Sequence, residues 1–382
     1  RREPGLIVSG NILDVDARLL SPILPRPWGA EAPHNHIIVT TVTLDSGEVG
    51  HGFTWTPTIG ATAILSFIRD DLRSLVVGEA ADPQSLWPRI AWAIREVGNG
   101  VSSIALAGID LALWDLAARS EGQSLTSSLG QKHDTLPLYG SGVNVHYSDD
   151  ELAAQTQRWV DAGYVGAKIK VGRDGLENDV RRVGLVRDIL GPDRTLMIDA
   201  NQRWSVAEAI EHITVLEQFG LEWIEEPINA NDLAGHLEVK KHISTPLAAG
   251  ESLFSRERFA EFIDANALDI AQPNVTRIGG VTPFLEVAAR AHAQGIRVVP
   301  HLLVDLSAQL AFALPGVEAL EDVEDADFEA LGILAAPSPV LRTGGRGSLR
   351  GDVQGIGLSF VNDLALIPES VSNEQLTEMV TE

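Results

Sequence analysis

Apolar and polar residues alternate with a period of two in two early segments, Leu6 to Leu20 and His36 to Trp55, which predicts strands with one buried face. Asp45-Ser46-Gly47 interrupts the second segment and reads as a hairpin turn, so the two predict a small antiparallel sheet. The period then lengthens to that of a helix over Ala61 to Val77, Pro83 to Val97 and Val101 to Ser120. Strands followed by helices predict an α+β unit over residues 1–134. From Leu136 the pattern changes to short apolar runs, each followed by a helical stretch. The runs are Leu136 to Ser141, Ala167 to Val171, Leu196 to Asn201 and Trp223 to Pro227, then Leu247 to Ser252, Leu268 to Gln272, Arg297 to His301 and Ala319 to Val323. Eight runs at this spacing predict an α/β fold, a modified TIM barrel over residues 135–342, (β/α)7β-like because no helical stretch follows the eighth. The Gly-rich segment 343–382, containing Gly355-Ile356-Gly357, is expected to return to the first unit and complete an α+β capping domain.

Composition narrows the function classes. The 382 residues carry 53 Asp and Glu against 29 Lys and Arg, a formal charge of −24. Such a surface repels phosphate backbones and anionic lipid, so neither nucleic acid nor a membrane is an expected partner. The absence of cysteine removes disulfides, thiolate metal sites and cysteine nucleophiles, which leaves oxygen or imidazole ligands for any metal. Arg1-Arg2-Glu3-Pro4 has no apolar signal core and each long apolar stretch is interrupted, so a cytoplasmic protein is expected.

The carboxyl ends of barrel strands carry active sites, and six of them here carry polar side chains. Lys168 and Lys170 are two residues apart, so both face the barrel interior if Ile169 faces the helices. Neighbouring ammonium groups lower each other's proton affinity, which suits one to act as a base near neutral pH; an exposed strand with two solvated lysines is the alternative. Asp199, Glu225 and Glu251 end the third, fourth and fifth runs at equal intervals of 26 residues. Three acids at one strand depth repel one another, and a hard divalent cation, Mg²⁺, relieves that repulsion. The alternative is a helix cap at Asp199 and separate ion pairs for the two glutamates. His301 ends the seventh run, nearly opposite the lysines. Glu321 ends the eighth, either to bond a substrate oxygen or as part of a solvated acidic run to Asp327.

The Lys-x-Lys strand, the three acidic strand ends, the helix motif Gly108-Ile109-Asp110-Leu111-Ala112-Leu113-Trp114-Asp115 and Arg277-Ile278-Gly279-Gly280 after the sixth strand together resemble the enolase superfamily. The resemblance is closest to its mandelate racemase subgroup and runs over almost the whole chain. It implies Mg²⁺ on Asp199, Glu225 and Glu251, and Lys170 as a base. Lys168 would contact the substrate carboxylate and depress its neighbour's proton affinity, with His301 as the opposite base or acid. Glu321 would donate to the substrate carboxylate, and Ser141 and Asn201 would touch the substrate. The implied chemistry is abstraction of the proton α to a carboxylate through an enolate, on a small-molecule carboxylate, and a homo-oligomer is expected.

One position departs from the subgroup, which has an aspartate that orients and charges the histidine; this chain reads Gln272-Pro273-Asn274. Asn274 is expected to accept a hydrogen bond from the imidazole without adding charge, leaving His301 a weaker base and a readier acid. Dehydration of a hydroxy acid or acid sugar to a 2-keto acid is then expected, with His301 protonating the departing hydroxyl. Racemisation or epimerisation of a 2-hydroxy acid is the alternative. The loops Ser21 to Pro33 and Gly52 to Pro57 hold Ile23, Leu24, Trp28, Phe53 and Trp55 beside Arg26, His34 and His36. They are expected either to choose the substrate, with Trp55 in contact with it, or to pack the cap on the barrel. A glycosidase also pairs carboxylates at strand ends but leaves Lys168, Lys170 and the third acid unexplained. A nucleotide-binding fold lacks its glycine loop after any strand, and a non-catalytic binding relative is favoured by Asn274 alone.

Overall fold

The computed structural model describes residues 10–28 and 33–364. The expected strand residues Leu6 to Ser9, the loop residues Gly29 to Ala32 and the chain after Leu364 lie outside the described residues. Strands β1 (Ile12–Leu20), β2 (His36–Leu44) and β3 (Val49–Thr56) form an antiparallel sheet in sequence order. Its register sets Ile37 opposite Trp55 and Val39 opposite Phe53, so large apolar side chains share one face. The sheet is buried on both faces, not one. Ile37, Val39, Phe53 and Trp55 join the barrel's core, while Ile38 and Val42 pack with the helices of the cap.

The helix Val101–Ser120 is the centre of the cap, and every residue from Ser102 to Ala118 is buried. It is long and apolar enough to cross a bilayer, against the reading of the sequence, but its surface is consumed between the cap sheet and the barrel. Gly52 permits this approach, since a Cβ there would lie 2.2 Å from the Gly108 carbonyl oxygen. Two acids of the helix hold other parts of the chain. Asp110 accepts hydrogen bonds from the Thr282 amide at 2.9 Å and hydroxyl at 2.7 Å, and so caps the barrel helix Val281–Ala293 from outside. Gly280, at φ 112°, makes room for it; a Cβ would stand 2.3 Å from Asp110 Oδ2. Asp115 accepts from the amides of His51 at 2.9 Å and Ile356 at 2.8 Å. Beyond Ile356, Phe360 packs on Phe53 and Phe328, and Arg18 donates to the Val361 carbonyl at 3.1 Å.

Eight parallel strands follow: β4 (Thr135–Ser141), β5 (Gly166–Lys170), β6 (Thr195–Asp199), β7 (Trp223–Glu225), β8 (Leu247–Ala249), β9 (Ile270–Ala271), β10 (Arg297–Val298) and β11 (Leu320–Val323). Their ladder runs from β11 to β4 and on in order to β10. A helix lies in each of the seven connections, ending with Val304–Ala313 before β11. Local caps fix several helix starts, as in the reciprocal pairs Ser148 with Glu151 and Ser205 with Glu208. After β11 comes a hairpin, β12 (Val340–Thr343) and β13 (Arg346–Leu349), whose second strand runs antiparallel to β4.

Tyr139, Met197, Trp223, Ala248, Ile270 and Val299 form the apolar interior of the barrel. Two residues farther along five of these strands stand Ser141, Asp199, Glu225, Gln272 and His301, as the period of two requires. On β8 the step is three, from Ala248 to Glu251. Gly250 takes up the difference at φ 154°, where a Cβ would come within 2.6 Å of the Gln272 backbone. Because the Thr282 donors lose their acceptor, Asp110→Ala is expected to destabilise the fold by about 1–3 kcal/mol in urea unfolding. Asp110→Asn, which keeps one acceptor oxygen, is expected to lose less.

Candidate active site

The mouth of the barrel is a run of buried charges, each held by the next. Lys168, 1% exposed, places Nζ 2.6 Å from Glu225 Oε2 and 2.7 Å from Glu321 Oε1. Gln272 Nε2 donates to the same Glu225 oxygen at 2.7 Å. Lys170 Nζ donates to Asp199 Oδ2 at 2.5 Å. Asn201 Nδ2 bridges Asp199 Oδ2, at 3.4 Å, and Glu251 Oε1, at 3.2 Å. Glu251 Oε2 faces Arg277 Nη1 at 3.3 Å and His301 Nε2 at 2.9 Å. Glu321 is buried, outside any solvated run, and its Oε2 accepts the Leu302 amide at 2.8 Å.

Burial and neighbours set the protonation of these groups in opposite directions. Burial raises the Glu225 carboxyl against the pull of Lys168, and burial with Glu251 and Asp199 nearby pushes Glu226 well above the usual range. Burial acts the same way on Glu321, but Lys168, His301 and the Leu302 amide together outweigh it and hold that carboxyl down to about 2. Lys170 departs from the expectation of a depressed proton affinity. Burial is the largest influence and lowers it, as does Lys168, but the carboxylates of Asp199, in direct contact, Glu251 and Glu225 together raise it above its ordinary value.

A cavity of about 180 Å³ opens over this network. Its floor is polar, made by Ser141, Lys170, Asn201, Glu251, His301 and Glu321; Trp28, Trp55 and Pro57 of the cap roof it, Val143, Leu302 and Val323 close its sides, and Arg277 also lines it. Of the other cap-loop residues, Leu24 and Phe53 are core, and Ile23 is 54% exposed. Arg26 is tied to Tyr147 Oη at 3.3 Å and Asp325 at 3.7 Å. His36 Nδ1 pairs with Ser21 Oγ at 2.9 Å, and neither it nor His34 is among the described residues that line the cavity.

Asn274 stands beside His301 but the other way round from the expectation. Its Oδ1 is taken by the Thr276 amide (3.0 Å), the Thr276 hydroxyl (2.8 Å) and the Arg277 amide (3.3 Å). Nδ2 is therefore the atom 3.0 Å from His301 Nδ1, an assignment the network makes, because flipping the amide would set NH₂ against three donors. The imidazole accepts at Nδ1 and carries its proton at Nε2. Two residues of the network escape a reading of the strands. Gln272 was detectable, since it lies two residues beyond inward-facing Ile270. Glu226 was not, because strand parity points it outward and only its left-handed backbone, φ 38°, turns it toward the acids.

A parallel barrel with an acidic, cation-balanced mouth under an α+β cap defines a capped-barrel enzyme. The chain matches the family model of the enolase C-terminal domain-like proteins over residues 151–363 and that of the mandelate racemase / muconate lactonizing enzyme N-terminal domain over 30–130, and it belongs to the enolase superfamily. It is 33% identical to the L-talarate/galactarate dehydratase of Salmonella typhimurium over 290 residues, 75% of this chain and 73% of that one. A racemase from Streptomyces coelicolor with bound magnesium superposes at a TM-score of 0.85 and 29% identity, covering 91% of this chain and 97% of that one. An L-talarate dehydratase from Polaromonas, complexed with Mg and L-glucarate, superposes at 0.81 and 32% identity, covering 93% and 96%.

The residues at the mouth fit a magnesium ion, which takes oxygen ligands. Glu225 Oε1 and Glu226 Oε1 are buried with no hydrogen-bond partner, and the Asn201 amide already draws Asp199 and Glu251 together. The tightest potential ligand group is Glu225, Glu251 and His301, within 4.8 Å of one another, and not the expected trio, because Asp199 is drawn to Lys170. His301 Nε2 carries a proton, which leaves the carboxylates as the ligands. Mg²⁺ is expected to raise the melting temperature of the protein by binding the folded state, and Asp199→Asn, Glu225→Gln and Glu251→Gln are each expected to abolish that shift in thermal melts.

Proposed function

We propose that this enzyme removes the proton α to a carboxylate and expels a β-hydroxyl as water, giving a 2-keto acid. The observation that carries the reading is the amide of Asn274 donating to His301 Nδ1, which leaves the neutral ring with Nε2–H as a hydrogen-bond donor toward the cavity and with no base on that face. A racemase needs a base on each face of the substrate carbon, since each enantiomer yields its proton to a different residue. A dehydratase needs one base and a donor that draws the hydroxyl away, and Lys170 and His301 Nε2–H, both lining the cavity, supply them. The dehydratase among the relatives supports the same assignment.

In this reading Asp199, Glu225 and Glu251 hold Mg²⁺, supported by the unpartnered Glu225 oxygen and by the magnesium in the related structures. Bound there, Mg²⁺ supplies positive charge where the substrate carboxylate becomes dianionic and loosens the hold of the acids on the two lysines. Lys170 takes the C2 proton of a 2,3-dihydroxy acid. The freed electron pair forms the C2–C3 double bond as the C3–O bond breaks, and the leaving hydroxyl, held by a hydrogen bond from His301 Nε2–H, takes the proton that Lys170 removed from C2 and departs as water. The enol gains a proton at C3 and loses one from its oxygen, which gives the 2-keto acid. Lys168 balances the substrate carboxylate from beneath, Glu321 anchors Lys168, and Ser141 and Asn201 offer hydrogen bonds to substrate oxygens. The barrel, residues 135–342, does the chemistry, and the cap, built from the described residues within 10–134 and 343–364, roofs it.

Lys170→Ala is expected to lower exchange of the α-proton with solvent deuterium by about 10²–10⁴-fold, with label entering C3 of the keto acid only in the unaltered enzyme. Retention of full exchange in the variant would sink the assignment. Asn274→Asp reverses the hydrogen bond to Nδ1 and makes Nε2 an acceptor, so this variant is expected to gain α-proton exchange from both enantiomers of a 2-hydroxy acid. Two-way racemisation without keto acid in the unaltered enzyme would assign it to the racemases instead.

A further inference from the structure

Four of the five carboxylates at the mouth touch a cation of the chain. Glu225 and Glu321 meet Lys168, Asp199 meets Lys170, and Glu251 meets Arg277. Glu226 meets none among the described residues. It is nonetheless 1% exposed, and the charges that act on it most are the negative ones of Glu251 and Asp199. Nor is it among the described residues that line the cavity, so a substrate held there does not supply its partner.

The backbone keeps Glu226 in this position against its own preference. Asn201, Gln202 and Glu226 have φ of 42°, 64° and 38°, a left-handed conformation that is unfavourable for a residue with a side chain and persists only where the surroundings impose it. Hydrogen bonds tie the three together. The Gln202 amide donates to the Glu226 carbonyl at 2.7 Å, and Gln202 Nε2 donates to Glu226 Oε2 at 2.9 Å and to Ser252 Oγ at 3.0 Å. The Ala230 amide donates to Gln202 Oε1 at 2.8 Å, which fixes the way the Gln202 side chain points. One oxygen of Glu226 is therefore clamped, while the other, Oε1, is buried with no donor. Such an acceptor is costly to leave unmatched. With the parity of its strand it would have faced outward, so the left-handed turn creates the problem that a ligand must solve.

Resting on the magnesium site proposed above, we propose that Glu226 is a positioning residue of that site, whose Oε1 accepts a hydrogen bond from a water that Mg²⁺ retains. Mg²⁺ gives up its waters reluctantly and is held by few protein ligands, so waters stay in its shell. The ion polarises them into strong donors, and in a buried site they need acceptors. Glu226 adds negative charge to the hold on the ion without ligating it. Because it stands outside the cavity lining, the water it keeps is not the one that substrate oxygens replace, and this directs the substrate to the cavity side of the ion.

The test measures Mg²⁺ binding by calorimetric titration, and melting temperature with and without Mg²⁺, for the unaltered protein and for Glu226→Gln. The variant keeps the size of the side chain and an oxygen for Gln202 Nε2, but places an NH₂ donor where Oε1 stood. Mg²⁺ affinity is expected to fall by about 10–100-fold, while the metal-free variant melts no lower than the unaltered protein. With Mn²⁺ as a probe in place of Mg²⁺, the relaxation of water protons is expected to rise in the variant, because the released water exchanges freely with solvent. A structural role alone would lower the metal-free melting temperature and leave Mg²⁺ affinity and Mn²⁺ relaxation as they were, which overturns the inference. Glu226→Asp, which keeps the charge one methylene farther off, is expected to recover part of the lost affinity. Should the glutamine variant not fold, full Mg²⁺ affinity in the aspartate variant overturns the inference instead. No Mg²⁺ binding to the unaltered protein would remove the magnesium reading itself, and this inference with it.

Discussion

Five carboxylates, those of Asp199, Glu225, Glu226, Glu251 and Glu321, are brought together at one barrel mouth, and a buried charge without a partner is among the costliest things a fold can contain. The answer is a relay of opposite signs. Glu321 and Glu225 share Lys168, Asp199 takes Lys170, and Glu251 takes Arg277 and His301. Removing any one member strands its neighbour, so each strand must deliver its side chain at the same depth. The parallel register that aligns Lys170 with Asp199 and Asp199 with Glu225 meets that demand.

The same constraint explains why the layers of the barrel differ so sharply. Tyr139, Met197, Trp223 and their neighbours give the charges an apolar foundation, which keeps water from reaching them from below and strengthens every ion pair above. Even here two polar atoms, Tyr139 Oη and Trp223 Nε1, are buried without partners. The cap closes the other side, and its attachment is also polar at the points that matter. Asp110 on Thr282 and Asp115 on Ile356 are single acceptors holding backbone amides across large distances in the chain. Apolar contact alone would hold the cap and let it slide, whereas these bonds fix where Trp28 and Trp55 stand.

Most of the barrel was legible because its signal repeats: eight short apolar runs, six with polar side chains at their carboxyl ends, carry the period of two and the spacing of βα units together. The regular ladder is shorter than those runs, as in β9, where Leu268 to Gln272 reduces to Ile270–Ala271, because strand ends that turn toward a site leave the pairing. The lysines, Asp199, Glu225 and Glu321 were legible for the same reason, since strand parity aims them inward, whereas Glu251 was legible from its 26-residue spacing and is turned in by Gly250. What escaped depends on backbone conformation or on the whole set of charges. Glu226 faces the site through one left-handed residue, and Lys170 is held protonated by an acid on the next strand. The orientation of Asn274 is decided by amides of Thr276 and Arg277, a local turn that composition does not encode. The departure from the subgroup was visible in one letter, but its consequence, a reversed hydrogen bond, required the turn.

The bond from Asp115 to Ile356 spans 241 residues. At a synthesis rate of about 5–20 residues per second, roughly 10–50 s pass on the ribosome between the emergence of the cap helix and that of the segment that completes its surroundings. Until Thr282, 172 residues after Asp110, and its helix emerge, the side of Val101–Ser120 that will meet them has no such neighbour, and its surroundings are complete only with Ile356. The helix that most resembles a membrane span in composition is thus one whose surroundings are completed late. A nascent chain of this design places its greatest demand on cellular chaperones early, and discharges it only when the last barrel strand and the returning segment have left the tunnel.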